Sequence, residues 1–162
     1  MTETAGLKVL EAEFERQMAL LNLPPKAWMP ESKGHGGEAV LDVAIVGGGL
    51  CGLVAALAIR LEGITSIRLF DRASEGREGP WVTYARMETL RTVKEAAGPA
   101  MGIPALTFRA WFEAQWGQAS WDAMQLAPRT VWMDYLIWYR KVTGADVVND
   151  CAPPRFPCAD AC

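Results

Sequence analysis

Hydrophobic side chains recur at helical spacing in four stretches of the chain. In the first stretch, charged residues separate the members of an apolar stripe, which predicts an amphipathic helix of about four turns. This helix should end by Leu23, because Pro24 and Pro25 lack backbone N–H donors and restrict the residue before them. The other helices are predicted over about 50–61, 106–116 and 131–142.

Short apolar runs predict the strands. One run covers 42–46, just before the second helix, another covers 67–71, just after it, and 146–149 predicts a third strand. The order strand, helix, strand favours a parallel sheet. Val43–Val46 is almost wholly apolar, as in strands buried between parallel neighbours. One of those neighbours is expected from a C-terminal part that the chain lacks, which would leave an apolar sheet edge.

Aromatic side chains are concentrated in the second half of the chain. Aromatic residues at helical spacing usually fill core volume. Trp28, in the connector after the first helix, is also expected to pack against the domain. Core packing is expected for five further tryptophans: Trp111, Trp116, Trp121, Trp132 and Trp138.

A glycine motif lies between the first predicted strand and the second helix. Gly47 permits a tight turn, Gly49 removes a Cβ that would block a pyrophosphate, and Gly52 lets the helix pack closely on the strand. Asp71 follows the next strand, where a carboxylate accepts hydrogen bonds from an adenosine ribose and repels a 2′-phosphate. No Lys-Ser or Lys-Thr pair follows the last glycine, which excludes a triphosphate loop. The pattern therefore predicts a dinucleotide site.

The composition of the chain limits which classes of partner it can bind. The chain has 162 residues, 51% of them hydrophobic, which suits one domain with a core. A net charge of −3 provides no basic surface for nucleic acid. No apolar run is long enough for a membrane span and no secretory leader is recognisable, so we expect a cytoplasmic protein without membrane contact. His35 lies in a glycine-rich loop without other ligands around it, and we expect no metal site.

Further motifs carry a resemblance to a known family. They are the fingerprint at 43–52, the pair Asp71-Arg72, Gly79–Trp81, the pair Met87-Glu88 and the segment 128–138. Together they resemble the opening part of NAD(P)H-dependent flavin monooxygenases, and most closely the enzymes that N-hydroxylate lysine or ornithine. The fingerprint is common to FAD/NAD(P)-binding oxidoreductases in general, and only the later motifs point to monooxygenases.

The resemblance implies a role for particular residues in binding FAD. Trp81 would lie near the isoalloxazine, and Met87 with Glu88 would line the flavin. Glu88 departs from the family, which usually has an amide there, and a carboxylate would disfavour the anionic reduced ring. Asp71 would bind the adenosine ribose and Arg72 would flank the adenine. The pyrophosphate would be surrounded by Gly47, Gly48, Gly49, Cys51 and Gly52.

The predicted fold class is therefore α/β, a Rossmann-like FAD/NAD(P)-binding three-layer domain with an incomplete parallel sheet and an N-terminal helical extension. Residues 1–38 form that helix and a linker, and 39–150 form the partial FAD-binding domain. The tail at 151–162 is rich in cysteine and proline and is expected to be irregular, from a truncated or shifted reading frame.

The expected function is that of the FAD-binding portion of a flavin-dependent monooxygenase. The resemblance implies that NAD(P)H reduces FAD and that a C4a-hydroperoxyflavin oxygenates a small-molecule substrate. NADPH is expected for the family, but the chain has no second glycine fingerprint to bind it, so the portion alone should be inactive. The alternatives are an NAD-binding dehydrogenase fragment and a non-catalytic nucleotide-binding remnant. The sequence leaves open whether the chain forms a homo-oligomer.

Overall fold

The computed structural model describes residues 4–151, so the predicted tail, except for Cys151, lies outside the described residues. The helices are α1 (Ala5–Leu20), α2 (Leu50–Leu61), α3 (Phe108–Ala123) and α4 (Arg129–Thr143), with a 3-10 turn at Pro104–Leu106. The strands are β1 (Ser32–Lys33), β2 (Ala39–Val40), β3 (Val43–Val46), β4 (Ile67–Phe70) and β5 (Val147–Val148). Among these helices none is long and apolar enough to cross a membrane.

A small parallel sheet has the strand order β3-β4-β5. The helix α2 connects β3 to β4, whose register pairs Val43 with Ile67, and β5 pairs with the other side of β4. The predicted α/β class with a parallel sheet is confirmed, and the sheet is consistent with a Rossmann-like domain. Within residues 4–151, β3 pairs on one side only and Val46 is 55% exposed, so the expected apolar edge is present there.

The first helix packs into the same core as the rest of the described chain. Leu7 and Phe14 of α1 are buried in the cluster that also contains the apolar face of α3. Gly6 makes the close approach of the two helices feasible, because a Cβ at this position would lie only 1.8 Å from the carbonyl oxygen of Ala114. Thr4 caps α1, since its hydroxyl accepts a hydrogen bond from the Leu7 N–H. The helix predicted as an extension is therefore held against α3.

An aromatic cluster joins α3 to α4. Phe108 lies at its centre, 5.2 Å from the Trp132 ring and 5.4 Å from the Tyr135 ring. Four of the five tryptophans assigned to the core are buried, but Trp116 is 46% exposed, so its assignment to the core was wrong. It lies over Phe112 at the margin of the cluster, where one of its faces remains accessible.

Three local features differ from the predictions. The connector contains a short antiparallel pair, β1 with β2, which its polar, glycine-rich sequence did not reveal. Trp28 is 63% exposed, although its indole N–H donates to the carbonyl of Glu62, so it is attached to the domain without being buried. Helix α3 runs past its predicted end near residue 116, and the φ of 77° at Gly117 marks a kink between two helical segments.

Two buried tyrosines make the fold sensitive to alkaline pH. Tyr135 donates its O–H to the carbonyl of Leu106, and Tyr139 donates to that of Pro99. Burial raises the pKa of both phenols well above the ordinary value, because the charged form would lose its hydration. The fold therefore holds both groups in the neutral form.

We expect the free energy of unfolding to fall as the pH rises above about 10, where the unfolded chain releases the two protons and the folded chain retains them. Below that pH the neutral phenols make their full contribution to the free energy of unfolding. Above it, the free energy of unfolding falls by about 1.4 kcal/mol per tyrosine for each pH unit. Urea unfolding at a series of alkaline pH values, with tyrosinate absorbance recorded, measures this. In Tyr139→Phe, the fall of the unfolding free energy with pH should lose the contribution of one tyrosine. Ionisation of both phenols before unfolding would contradict the prediction.

Candidate functional site

The glycine turn between β3 and α2 has the geometry that its sequence predicts. Gly47 has a φ of 106°, a value that favours glycine, and its N–H donates to the carbonyl of Phe70 at 2.8 Å. Gly52 is buried in the first turn of α2, and a Cβ there would lie 1.9 Å from the Gly47 carbonyl oxygen. These two glycines therefore set how closely the turn and the helix approach each other.

Asp71 closes the turn from the neighbouring strand. Its Oδ2 accepts a hydrogen bond from the Gly48 N–H at 2.7 Å, and its Oδ1 accepts one from the Ala73 N–H at 2.7 Å. A carboxylate oxygen has two acceptor positions, so each can also accept from a ribose hydroxyl. The Asp71 carboxylate thus orders the turn. It can still accept the ribose hydrogen bonds that the sequence predicted for it.

At the N-terminus of α2 the glycine turn lies close to the loop that follows β4, and we call the backbone of Gly49 and Gly79 at this place the cradle. Gly49 is the N-cap residue of α2, and a Cβ there would lie 3.7 Å from both Cα and N of Gly79. Gly79 has a φ of 74° and is followed closely by Trp81. The N-terminus of a helix with free N–H groups and no side chain above it is suited to a diphosphate. On this observation the residues present fit the pyrophosphate of FAD.

A buried ion pair lies behind the cradle. Glu78 is only 4% exposed, and its Oε1 accepts from Arg140 at 2.8 Å and from the Asn149 side chain at 2.6 Å. Arg140 also donates to the carbonyl of Val147. The Glu78 side chain packs on the turn, since a Cβ at Gly48 would lie 3.4 Å from its Cγ. This network links the 72–79 loop, α4 and β5 to the glycine turn.

Glu78, Arg140 and Asn149 were not predicted from the sequence as part of the site. One feature of the sequence pointed to this network. Arg140 is a charged residue in a helix that is mostly apolar and is expected to be mostly buried. A charge in such a position is usually paired. Its partner could not be read from the sequence, because Glu78 precedes it by 62 residues in a polar loop.

A cavity of about 180 Å³ adjoins the cradle. Leu50, the residue after Gly49, lies on its wall together with the rings of Trp81 and Trp132. The indole N–H groups of Trp81 and Trp132 are buried and have no hydrogen-bond partner among residues 4–151. The cavity is thus largely apolar and lies next to the N-terminus of α2.

The residues assigned from the resemblance are only partly brought together. The glycines of the turn meet Asp71, and Trp81 lies beside Gly79. Four other side chains are exposed, and none of them lines the cavity or the cradle: Cys51, Arg72, Met87 and Glu88. The backbone of Glu88 has a structural role, because its carbonyl accepts from the Arg129 N–H at 3.0 Å, while the Arg129 guanidinium donates to the carbonyl of Trp81.

Parallel strands, a glycine turn at their carboxyl ends and an acid after the second strand define a dinucleotide-binding domain of the α/β class. A sequence profile of the family described as FAD-NAD(P)-binding matches residues 44–151, which is more than half of the chain. The chain belongs to this FAD-NAD(P)-binding family.

A curated protein similar to the chain is an FAD-dependent urate hydroxylase of Xanthomonas campestris pv. campestris, which is 45% identical over 144 residues. The alignment covers 89% of this chain and 30% of that protein, so the chain spans less than a third of the length of its relative. No solved structure matches the chain. The family and the relative support a flavin-dependent oxidoreductase, while the narrower resemblance to lysine and ornithine N-hydroxylases receives no support from them.

Proposed function

We propose that the chain is the FAD-binding portion of a flavin-dependent monooxygenase that acts on a small molecule. The observation that carries the proposal is the cradle formed by the side-chain-free backbone of Gly49 and Gly79, at the N-terminus of α2 and near the carboxylate of Asp71. Similarity to an FAD-dependent hydroxylase supports FAD over a nicotinamide as the bound dinucleotide. The name of that relative makes urate the first substrate to test with a protein of full length.

Each residue of the cradle has a distinct task in this proposal. The free N–H groups at the start of α2 bind the diphosphate, and the absence of a side chain at Gly49 lets it approach the backbone. Asp71 accepts hydrogen bonds from the ribose hydroxyls. Trp81 lies on the far side of Gly79, where it excludes water from the end of the site near the cavity. Bound FAD supplies the redox chemistry, with NADPH proposed as reductant and O₂ as oxidant.

The glycine at the N-cap provides the test. In Gly49→Ala we expect the dissociation constant for FAD to rise at least about tenfold, which corresponds to about 1.4 kcal/mol, because the added methyl occupies the place of the diphosphate. The fold should tolerate the change, since the nearest atoms lie at an ordinary contact distance of 3.7 Å. FAD titration followed by flavin fluorescence, together with thermal unfolding, measures both effects.

Gly36→Ala is the matched control. It lies in the β1–β2 loop, where the added methyl meets only the end of the flexible Glu38 side chain. This variant should bind FAD as the unmodified chain does. The proposal fails if the unmodified chain does not bind FAD, or if Gly49→Ala binds it equally well. A parallel titration with NAD⁺ distinguishes a dehydrogenase fragment, for which NAD⁺ would bind and FAD would not.

A further inference from the structure

We propose that tryptophans of the aromatic cluster form an electron relay, through which an electron vacancy created at Trp81 moves to Trp116 at the surface. Trp81 lies beside Gly79 of the cradle, so it is the member of the cluster at the cofactor end. The inference rests on the proposed function for the source of the vacancy, because a flavin that reacts with O₂ supplies one-electron oxidants. The relay would remove such an oxidant from the site and protect the site from damage.

The rings form a continuous path between the two tryptophans. The ring centroid of Trp81 is 6.2 Å from that of Trp132. Phe108 lies 5.2 Å from Trp132 and 5.8 Å from Trp111, and Trp111 lies 5.5 Å from Trp116. Ring centroids about 4.5–7 Å apart are typical of aromatic contact, so each transfer crosses a short gap. Phe108 acts only as a bridge, because phenylalanine is much harder to oxidise than tryptophan.

The indole N–H groups along the path favour onward transfer. Those of Trp81, Trp132 and Trp111 are buried and have no hydrogen-bond partner among residues 4–151. A tryptophan that loses one electron becomes a radical cation, which turns into a stable neutral radical only when an acceptor takes its N–H proton. Without an acceptor the positive charge stays on a ring that water does not solvate, which costs free energy. The vacancy is therefore not trapped at these three rings.

Trp116 provides the end of the relay. Its side chain is 46% exposed, so water solvates a positive charge on the ring and accepts the N–H proton. One electron and one proton thus leave Trp116, and a thiol in solution supplies one electron and one proton to restore it. Because the vacancy is more stable here than at the buried rings, the transfer is directed outward.

Two other rings of the cluster are poor end points. The Lys94 ammonium lies 5.1 Å and the Arg109 guanidinium 5.6 Å from the ring centroid of Trp121. Like charges repel, so a positive vacancy on this ring is disfavoured. Tyr135 can be oxidised only with loss of its O–H proton, and the partner of that proton is the carbonyl of Leu106, a very weak base.

The test creates a vacancy at the cofactor end without FAD. Cys51 is exposed in the first turn of α2, next to Leu50, which lines the same cavity as Trp81. A ruthenium polypyridyl complex attached to Cys51 loses an electron to a soluble acceptor after a light flash, and then takes one electron from the cluster. Three substitutions remove the other thiols: Cys151→Ser, Cys158→Ser and Cys162→Ser. Transient absorption records the tryptophan radical, and mass spectrometry of peptides locates the tryptophans that gain oxygen in air.

Trp28 is the control for simple exposure. It is 63% exposed, more than Trp116, and in the described part of the chain no ring contact joins it to the cluster. We expect oxygen mainly at Trp116. Trp116→Phe should abolish the long-lived radical signal, and Trp28→Phe should leave it unchanged. More oxygen at Trp28 than at Trp116, or an equal radical signal in Trp116→Phe, would overturn the inference.

An interruption of the path tests the route. Trp111→Phe should abolish the oxidation of Trp116, because it removes the tryptophan between Phe108 and Trp116. Thermal unfolding checks the fold of this variant, and the comparison of Trp116 with Trp28 is decisive even if Trp111→Phe does not fold. Oxygen mainly at Trp138, whose N–H donates to the Glu11 carboxylate at 3.0 Å, would place the end elsewhere and overturn the inference.

Illumination of the chain loaded with FAD separates the possible failures. In that experiment Trp81 gives one electron to the light-excited flavin, and oxygen should again be found mainly at Trp116. Oxidation of Trp116 in the ruthenium experiment together with failure to bind FAD would contradict the proposed function and support the relay. FAD binding without oxidation of Trp116 in either experiment would overturn the relay alone.

Discussion

Replacement of Gly52 by alanine should lower the free energy of unfolding by about 3 kcal/mol and abolish FAD binding by the folded fraction. The added Cβ would lie 1.9 Å from the carbonyl oxygen of Gly47 and 3.0 Å from its carbonyl carbon. Both atoms belong to the backbone, so either the turn or α2 must move. The intrinsic gain of alanine over glycine in a helix, about 1 kcal/mol, is too small to offset this.

The measurement for Gly52→Ala is urea unfolding combined with FAD titration. Gly49→Ala provides the contrast, because it should impair FAD binding at little cost to the fold. If Gly52→Ala is as stable as the unmodified chain and binds FAD with the same affinity, the close contact of helix and turn is not required for the site. The two variants together separate the packing role of one glycine from the ligand role of the other.

Replacement of Arg140 by methionine should destabilise the domain by about 3–5 kcal/mol, the range for the loss of one partner of a buried ion pair. The Glu78 side chain would stay buried at 4% exposure, and within the described part of the chain the amide of Asn149 would be its one remaining partner. The change also removes the donor to the Val147 carbonyl in β5. Thermal and urea unfolding measure the loss.

Arg68→Met is the matched control for this prediction. Arg68 pairs with Asp146 at 2.7 Å, but both side chains are about half exposed, so the loss should stay within about 1 kcal/mol. The double variant Glu78→Gln, Arg140→Met should recover part of the stability, because it no longer buries an unpaired charge. Equal losses in Arg140→Met and Arg68→Met would show that burial of the pair has no energetic consequence.

The ion pair also connects the stability of the fold to the site. Glu78 packs on Gly48, and the 72–79 loop that carries it ends at Gly79, one wall of the cradle. A substitution that releases this loop should therefore weaken FAD binding even in the molecules that remain folded.

Much of the site could be predicted because its signals are local. The turn, the helix that follows it and the strand before it lie within 43–61, and the bounds of α2 agree with the prediction. Gly47 has a positive φ, which glycine permits. Gly52 packs against the carbonyl of Gly47, which is only five residues away in the sequence. Hydrophobic spacing likewise located α4 and β5, because each buries a face whose period is visible in the sequence.

The roles of Met87 and Glu88 at the flavin rested on the resemblance alone and stay predictions. Met87 and Glu88 are exposed, and they belong to a segment whose backbone pairs with the residues just before α4. Trp116 follows the helical spacing of the core, yet the kink at Gly117 ends the segment to which it belongs and leaves it at the surface. Spacing predicts a face of a helix, but it does not determine what covers that face.

The sequence by itself determined the class of the domain, the position of the glycine turn and the acid that closes it, since these depend on backbone conformation and short-range order. Only the tertiary structure decided that Glu78 pairs with Arg140 and that Gly79 lies close to Gly49. Each of these contacts joins segments that are far apart along the chain. Their geometry follows from how whole helices and loops pack, which no local pattern of residues specifies.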